Sequence, residues 1–489
     1  MTELSFIQRI KRCLAVTTLL GSAALASSST IALAQAQAGS LRAGAATSNI
    51  TPFLGAPIVG GWESPSATQI HDELHARCLV LDDGRTRVAI VVCDSVGIAR
   101  QVFDQAKRLV HEQTGLPLEN MLMAATHTHS GPSARGANAF AFDAPLDEYQ
   151  SFLAQRIADG VRRALRNLEP ARVGSGAGRL ADQVFNRRWK MKPGTALPNP
   201  FGGQDRALMN PGIGNPNLLE PAGPTDPEIR FISIQSASGR PIALLANYSL
   251  HYVGGTGGAQ ISADYFAMFA DRIQQLLGAD RLEPPFVGVM SNGTSGDVNN
   301  INVRGARENL PPYQKMRQVA NIVADEVFKA YQGVKHNDSA QLAVRQREIQ
   351  LQVRKPTAEQ IARAREILAR PADTKPAHAH EVEYARRTLS LSEWPPQVSV
   401  VLQALRIGDV GIAAIPFEVF AETGLELKQK SPLKPTFTVE LANGWYGYLP
   451  TPEQHELGGY ETWLGTNRVE VEASRKIVAT LLELFAQLK

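Results

Sequence analysis

The sequence predicts an α/β protein in which mixed α and β layers build one large multilayer domain. Short apolar runs rich in valine, isoleucine and leucine alternate with longer amphipathic stretches, which is the pattern of strands interleaved with helices. With 489 residues the chain can bury a large core, and 44% of its residues are hydrophobic, as in globular proteins. No internal repeat or low-complexity block interrupts this pattern.

The N-terminal segment has the features of a secretory signal peptide. Basic residues up to Arg12 precede an apolar run from about Leu14 to Ala26, and small residues with Ala-x-Ala spacing follow. We therefore expect residues 1–34 to be a signal peptide and the protein to be exported, to a periplasm or out of the cell. The apolar run is shorter than the roughly 20 residues of a membrane-spanning helix, so we expect no transmembrane segment.

Each predicted strand is a short apolar run bounded by turn residues or charges. In chain order the strands cover residues 76–81, 88–93, 121–125, 229–236, 242–248, 286–290, 398–407, 410–415 and 436–441. Helices are predicted from apolar residues at helical spacing over 100–114, 146–167, 265–277, 311–331 and 469–488. This alternation should leave polar loops at the strand ends, where α/β sheets build their sites.

Two segments differ from this alternation. Residues 190–227 are dense in proline, glycine and asparagine and are predicted to form a long loop. Residues 356–391 carry alanine, glutamate and arginine at helical spacing, which predicts a helical hairpin inserted on the domain surface. His378 and His380 within it are expected to lie in a solvated linker, because no strand precedes them.

Charge and cysteine content restrict the partners and the covalent links. A net charge of +3 without a long basic run gives no reason to expect a nucleic-acid partner. Cys13 would leave with the signal peptide, while Cys78 and Cys93 remain. A disulfide between these two is open, but Cys93 lies in an apolar run, where a buried free thiol is at least as good an interpretation.

The most informative motif is a pair of histidines at the end of a predicted strand. His127 and His129 follow the apolar run over 121–125 and precede a Gly-Pro turn. In an extended segment, residues i and i+2 point to the same face, so both imidazoles should face one site. Neutral imidazole is the commonest protein ligand for zinc. The alternative is a pair of hydrogen-bonded loop histidines.

Other predicted strands also end in residues that bind metals or move protons. The strand over 242–248 leads to His251, and the strand over 410–415 leads to Glu418. Two histidines and one glutamate are a known ligand set for catalytic zinc. By position alone, Glu418 is equally well explained as a carboxylate favoured at the start of a helix. The polar, glycine-bearing loop over 291–300 has backbone amides that could bind an oxyanion.

Together these motifs resemble those of the neutral/alkaline, non-lysosomal ceramidases. The matching residues, in the order found in that family, are the Thr-His-Thr-His-Ser-Gly-Pro stretch 126–132, the Asn186-Arg187 pair, His251, the Gly-Asp-Val stretch 296–298, the Pro-Phe-Glu stretch 416–418, and Gly447-Tyr448 followed by Tyr460-Glu461. The resemblance covers residues 41–461 and implies one ceramidase-like zinc hydrolase domain, which we expect over 41–489. It implies an amidase that cleaves ceramide into a sphingoid base and a fatty acid.

The resemblance also implies roles for individual residues. The ligands it implies for one zinc ion per chain are His127, His251, Glu418 and Tyr448. The residues it places around the reacting amide are His129, Arg187 and Tyr460. Zinc would activate a water for attack and polarise the carbonyl. His129 would move a proton, while Arg187 and Tyr460 would hold substrate oxygens.

Two departures from the family pattern bear on activity. Where the family has a serine after Gly-Asp-Val, proposed as a catalytic residue, this chain has Asn299, whose amide cannot be an acyl-accepting nucleophile. The nearby Ser295 is expected to be hydrogen-bonded locally within its turn. The family also continues into a C-terminal immunoglobulin-like module, which we expect to be absent here.

The sequence thus supports three hypotheses about function. The first is an exported zinc hydrolase of N-acyl bonds, acting on ceramide, a related N-acyl lipid or a small amide. The second is a zinc-binding homologue without turnover, and the third is a zinc esterase or phosphoesterase with a different substrate. Cleavage of an amide would favour the first, cleavage of neither amide nor ester the second, and cleavage of an ester alone the third.

Overall fold

The computed structural model describes residues 40–136 and 144–489. The predicted signal peptide lies outside these described residues. The strands are β1 (Arg42–Asn49), β2 (Gln69–Ile70), β3 (His75–Asp82), β4 (Arg87–Cys93), β5 (Met121–Ala125), β6 (Glu169–Arg179), β7 (Phe185–Asn186), β8 (Arg188–Met191), β9 (Ala207–Met209), β10 (Leu218–Pro221), β11 (Glu228–Ser236), β12 (Pro241–Tyr248), β13 (Gln260–Ile261), β14 (Val287–Asn292), β15 (Val298–Asn299), β16 (Leu342–Gln352), β17 (Gln397–Ile407), β18 (Val410–Ile415), β19 (Glu418–Val419), β20 (Thr436–Glu440) and β21 (Tyr448–Leu449). The α-helices are α1 (Arg100–Thr114), α2 (Glu148–Arg166), α3 (Asp264–Leu276), α4 (Gln314–Tyr331), α5 (Ala358–Ala369), α6 (Glu381–Glu393), α7 (Ala421–Lys430), α8 (Pro452–Leu457) and α9 (Ala473–Ala486).

Two sheets pack face to face, and each is covered by helices on its outer face. The larger sheet has eight strands in the order β14-β12-β11-β6-β1-β3-β4-β5, and the smaller has four in the order β16-β17-β18-β20. Helices α1 to α4 lie against the larger sheet, while α7 and α9 lie against the smaller one. The result is a helix, sheet, sheet, helix arrangement, which confirms the predicted class of mixed α and β layers.

The layering follows from the period-two alternation of side chains along each strand. In β3, Cys78 and Val80 face the helices α1 and α2, while Leu79 and Leu81 face the second sheet. Because both faces of these strands are buried, they read in the sequence as continuous apolar runs. These strands could therefore be predicted from continuous apolar runs, although they show no alternation of polar and apolar residues.

The larger sheet curls, and its curvature brings distant strand ends together. Its two edge strands, β5 and β14, approach within 8 Å at some Cα positions, and both approach β20 of the smaller sheet. The neighbouring pairs β4 with β5, β12 with β14, and β18 with β20 are each parallel. Loops from the carboxyl ends of β5, β12, β14, β18 and β20 therefore share one region of the molecule.

The structure differs from the prediction made from the sequence at several elements. The segment 190–227, predicted to be a loop, contains β9, β10 and the end of β8, which form a separate sheet in the order β10-β8-β9. Strands β1, β6 and β16 were not predicted at all. The predicted hairpin is confirmed, since α5 and α6 pack against each other. Nothing in the described residues forms a C-terminal immunoglobulin-like module.

The described residues also answer two smaller questions. Cys78 and Cys93 are both buried and both free thiols, so the disulfide that the sequence left open does not form. None of the helices within residues 40–136 and 144–489 combines the length and the apolar character needed to cross a membrane.

Candidate metal centre

The histidine motif reaches its position through a backbone turn and not through strand alternation. Strand β5 ends at Ala125, so His127 and His129 are not in an extended strand as predicted. His127 has a φ of 76°, in the left-handed region that residues with a Cβ rarely adopt. Its amide donates to the carbonyl of Ser95 at 2.8 Å, which holds this turn. The two imidazoles still converge, as the sequence predicted.

Two buried histidines present the same ring nitrogen to the centre. Nδ1 of His127 lies 2.5 Å from the carbonyl oxygen of Val96, and Nδ1 of His251 lies 3.0 Å from that of Ser295. A carbonyl oxygen only accepts hydrogen bonds, so each Nδ1 carries a proton. Each Nε2 is left with a lone pair, the arrangement by which outer partners orient histidine ligands of metals.

His129 completes a group of three imidazoles. Its Nε2 lies 3.1 Å from Nε2 of His127, and ring nitrogens of His127, His129 and His251 all lie within 4.8 Å of one another. The His129 ring stacks on Tyr252 with 3.7 Å between centroids. Gly60, with a φ of 136°, passes so close that a Cβ there would lie 2.5 Å from the His129 ring. His129 can thus hold a metal as well as move the proton predicted for it.

Glu418 and Tyr448 are neighbours because their short strands pair. Strands β19 and β21 run parallel, with Glu418 directly opposite Tyr448. Gly447 makes this possible, since its φ is 92° and a Cβ would lie 2.4 Å from the carbonyl oxygen of Thr466. The indole of Trp445 donates to Oε1 of Glu418 at 3.0 Å. Glu418 is therefore held in place, and it does not cap a helix, because α7 begins at Ala421.

The remaining oxygen of Glu418 shows that the donor set fits a cation. Glu418 Oε2 is buried without a hydrogen-bond partner and lies 3.3 Å from Nε2 of His127. A carboxylate oxygen and an imidazole lone pair repel each other unless a proton or a metal ion lies between them. Because His129 and His251 point nitrogens at the same place, a metal ion satisfies all of these atoms together.

The electrostatics of the site keep this donor set in the forms that bind a cation. Burial alone would raise the pKa of Glu418, but its interaction with the neighbouring His127 and hydrogen bonds from Tyr448 and Trp445 lower it to about 2. Burial, followed by the neighbouring His127, holds the pKa of His129 and of His251 well below the usual range. The carboxylate is thus ionised and these two imidazoles are neutral.

Arg187 lies behind the metal centre and connects its parts. Its guanidinium donates to Glu461 at 2.9 Å, to the Tyr448 hydroxyl at 2.9 Å, and to Nε2 of His251 at 3.4 Å. Arg188 holds the other oxygen of Glu461 at 2.6 Å. Arg187 is 5% exposed. Its observed contacts are those of a residue that positions ligands, while the substrate contact predicted for it stays a prediction.

Ser295 has a partner that the sequence did not indicate. Its hydroxyl donates to Oε1 of the buried Glu440 at 2.7 Å, and not within its own turn as expected. The same hydroxyl lies 3.3 Å from Nδ1 of His251. Burial raises the pKa of Glu440 well above the usual range, although hydrogen bonds from Ser295 and Val419 oppose this. Ser295 and Glu440 thus support the orientation of His251.

The centre opens into a cavity of about 360 Å³. The predicted site residues that line it are His127, His129, Glu418, Tyr448 and Tyr460. The inserted hairpin supplies one wall through Glu383 and Arg387. His378 and His380 lie in the linker before α6 as expected, but both are half-buried, and the His380 ring stacks on Trp62 with 3.5 Å between centroids. All seven predicted site residues therefore lie in or directly behind one cavity, although their roles remain predictions.

The side chain of Asn299 forms hydrogen bonds that stabilise its loop, and we expect Asn299→Ala to leave the metal content unchanged. Its side-chain amide donates to Asn210 at 2.7 Å, and its oxygen accepts from the Ile301 amide at 2.9 Å. Losing these bonds should lower stability by about 1–3 kcal/mol. Elemental analysis and thermal unfolding of the purified variant measure both effects. Loss of the metal with intact folding would instead place Asn299 in the metal centre.

Several residues of the site were not identified from the sequence. Trp445, Glu440, Arg135 and Arg468 belong to no metal-ligand spacing, and they are brought to the site by long-range folding. Glu461 belongs to one of the motifs shared with the ceramidase family, but no role was predicted for it. The one local clue was that Trp445 lies four residues after the end of the strand predicted over 436–441 and three residues before Tyr448.

Comparison with known proteins finds sequence similarity to a family model and to a curated relative. The family model described as neutral/alkaline non-lysosomal ceramidase, N-terminal, matches residues 43–316. Neutral ceramidase A of Dictyostelium discoideum is 27% identical over 190 residues, which is 37% of this chain and 24% of that relative. The match thus spans about a quarter of the curated relative's length.

Solved structures show that the fold is shared. A crystal structure of neutral ceramidase from Pseudomonas aeruginosa matches with a TM-score of 0.68 and 17% identity, covering 92% of this chain and 75% of that chain. A structure of a ceramidase complexed with C2 matches with a TM-score of 0.67 at the same identity and coverage. Since the family model matches more than half of the chain, this protein belongs to the neutral/alkaline non-lysosomal ceramidase family.

Proposed function

We propose that this protein is a metal-dependent hydrolase of N-acyl amide bonds, with zinc as its metal and ceramide or a related N-acyl lipid as its substrate. The observation that carries the proposal is the convergence of His127, His251 and Glu418: ring nitrogens of the two histidines lie within 4.8 Å of each other, and the unpartnered Oε2 of Glu418 lies 3.3 Å from Nε2 of His127. Membership of the ceramidase family supports the amide bond as the target.

A zinc ion at this centre would lower the pKa of water to about 7 and polarise the amide carbonyl. The ligands would be His127, His251, Glu418 and Tyr448, with His129 as a further donor within reach. The carbonyls of Val96 and Ser295 keep the two histidine rings turned toward it. The protein's own part in the reaction is therefore to fix donors and to move protons.

Proton transfer needs a group beside the reacting carbon, and His129 is such a group. It is half-buried, lines the cavity, and has its Nε2 directed at the metal centre. When the C–N bond breaks, the leaving amine must gain a proton, and an imidazole nitrogen can supply it. Tyr460 lines the same cavity, and its hydroxyl is available to hold a substrate oxygen.

An apolar groove next to the cavity supports a lipid-like substrate. Its volume is about 620 Å³, and its wall includes Phe53, Leu54, Tyr149 and Phe152. The residues that line both the groove and the cavity are Val59, Ser64, Ser133 and Gly136. An acyl chain in this groove would gain about 0.8 kcal/mol for each buried methylene, and its carbonyl would reach the metal centre.

The test is release of fatty acid from a fluorescent ceramide by the purified protein, before and after chelation, with metal content measured in the same sample. We expect near-stoichiometric zinc and release that stops on chelation and returns with zinc. Zinc without release from ceramide or other amides would favour a binding protein, and cleavage of phenyl esters alone would favour an esterase. Absence of any bound metal would contradict the proposed site.

Export to a periplasm or out of the cell is part of the same proposal. It rests on the signal-peptide features of residues 1–34. This is tested by expressing the full chain with an epitope tag at its C-terminus and detecting the tag after cell fractionation. We expect a processed form, shorter by the mass of residues 1–34, outside the cytoplasm.

A further inference from the structure

A buried carboxyl group that is not a predicted ligand lies next to the metal centre. Glu440 ends β20 and is 0% exposed. Its Oε2 accepts hydrogen bonds from the amide of Val419 at 2.6 Å and the amide of Ser295 at 3.3 Å, while its Oε1 accepts from the Ser295 hydroxyl at 2.7 Å. All of these donors are neutral. Because a carboxyl group is costly to bury beside neutral donors, packing alone does not explain its presence here.

The bond from Val419 holds the short strand that carries Glu418. Val419 follows Glu418 in β19, so the amide that donates to Glu440 and the carbonyl of Glu418 belong to one rigid peptide plane. The same strand pairs with β21, which carries Tyr448. Glu440 thus fixes the backbone of a predicted ligand without touching its donor oxygens.

The bonds from Ser295 hold the residue that orients His251. The carbonyl oxygen of Ser295 lies 3.0 Å from Nδ1 of His251, and its hydroxyl lies 3.3 Å from the same nitrogen. Glu440 accepts from both the amide and the hydroxyl of Ser295, so it fixes this residue at two points. A shift of Ser295 would let the imidazole turn and move its Nε2 away from the metal position. The orientation of His251 therefore depends on Glu440.

The two ligands that Glu440 supports come from different sheets. His251 follows β12 of the larger sheet, and Glu418 follows β18 of the smaller one. Their supporting segments are in contact, since the amide of Gly296 donates to the carbonyl of Val419 at 2.8 Å. A Cβ on Gly296 would lie 2.6 Å from the carbonyl oxygen of Glu418. One carboxyl group is thus bonded to both segments where they meet, and a change there should alter the distance between two ligands.

We infer that Glu440 is a positioning residue for both His251 and Glu418, and that its carboxyl group sets how tightly the centre holds its metal ion. The inference rests on the metal centre of the proposed function and adds the residue that fixes the geometry of its ligands. Outer partners of metal ligands contribute about 10–100-fold to metal affinity. Because Glu440 supports two ligands at once, loss of its acceptor oxygens should have an effect of this size.

The test measures zinc affinity and ligand geometry in the purified protein, without any substrate. Competition with a chromophoric chelator gives the zinc affinity, and the visible absorption bands of the Co²⁺-substituted protein report the number and arrangement of the ligands. Glu440→Leu removes both acceptor oxygens at similar side-chain size. We expect it to weaken zinc binding by about 10–100-fold and to shift the cobalt bands. Glu440→Gln keeps the length and one oxygen that can accept from the Val419 amide, so it should restore part of the affinity.

Asp83 provides a matched control outside the metal centre. It lies in the turn between β3 and β4, at the end of these strands opposite to the one that leads to Val96. Its carboxyl group is also largely buried and accepts backbone amides, from Thr86 at 2.7 Å and from Leu342 at 2.9 Å. Asp83→Leu should lower the midpoint of thermal unfolding but leave zinc affinity and the cobalt bands unchanged. An equal loss of zinc affinity in Asp83→Leu and Glu440→Leu would show that general destabilisation is the cause, and the inference would be wrong.

A second variant keeps the inference testable if Glu440→Leu does not fold. Ser295→Ala removes the hydroxyl that Glu440 holds but keeps the carbonyl that faces His251, so zinc binding should weaken by about tenfold. Unchanged zinc affinity and cobalt bands in folded Glu440→Leu, or in Ser295→Ala where the former does not fold, would overturn the inference and leave the proposed function in place.

Hydrolysis by the unmodified protein separates the two proposals in the other direction. Zinc binding that depends on Glu440, without hydrolysis of any amide, would contradict the amidase and leave the positioning role in place. Failure of the unmodified protein to bind zinc would contradict both. We expect tight zinc binding, hydrolysis of an N-acyl amide, and loss of affinity in the order Glu440→Gln, then Glu440→Leu.

Discussion

Replacing His251 by alanine is expected to remove the metal and to lower kcat/KM for an amide substrate by at least about a thousandfold, since metal catalysis supplies several kcal/mol and each 1.36 kcal/mol is a factor of ten. His251 is 0% exposed, and Ser295 holds its Nδ1, so its Nε2 is fixed beside the other candidate ligands in a position that alanine leaves empty. Elemental analysis and steady-state kinetics on the same preparation measure the two losses together.

The control is a histidine outside the centre. His336 bonds to Ser233 at 3.0 Å and does not line the cavity among the described residues, so His336→Ala should keep both metal and activity. Because removing a buried ring can also unfold the protein, His127→Ala is measured in parallel, with circular dichroism to establish folding. A folded His251→Ala or His127→Ala protein that retains metal and full activity would show that the centre lies elsewhere.

The interior of the fold was predictable because burial on both faces leaves continuous apolar runs. The strands missed by the sequence lack this signal for physical reasons. Strand β16 lies at the edge of the smaller sheet and has four consecutive polar residues, Arg345 to Glu348, so it forms no continuous apolar run. Strand β6 is central but rich in glycine, since helix α4 and Phe231 approach its backbone closely at Gly176 and Gly178. Neither pattern indicates a strand by itself.

The sequence indicated the candidate ligands one by one, but not the reason why they meet. The alternation argument placed His127 and His129 on one face of a strand, whereas a left-handed turn at His127 brings them together. Glu418 had an equally good explanation as a helix-start carboxylate until its pairing with Tyr448 was seen. Local sequence can indicate which side chains are candidate metal ligands, while the curl of the sheet decides which of them meet.

Replacing Arg187 by glutamine is expected to lower kcat by about 10–100-fold with a small change in KM, the size of effect seen when an outer partner of a metal ligand is lost. The guanidinium bonds at once to Tyr448, Glu461 and His251, and glutamine cannot reach all three. Glu461 keeps its bond to Arg188, so its charge stays compensated and the protein should still fold. Steady-state kinetics with metal content measured on the same sample test this.

The lysine variant separates charge from geometry at this position. Arg187→Lys keeps the positive charge but cannot hold Tyr448 and Glu461 with one planar group, so it should recover only part of the lost kcat. Arg172→Gln, an exposed arginine on β6, is the control and should behave as the unmodified protein. If Arg187 touches the substrate and does not position ligands, KM will rise with kcat unchanged in folded, metal-loaded Arg187→Gln, and lysine will restore it. The split between kcat and KM thus decides whether the residue acts through Tyr448 and His251 or on the substrate directly.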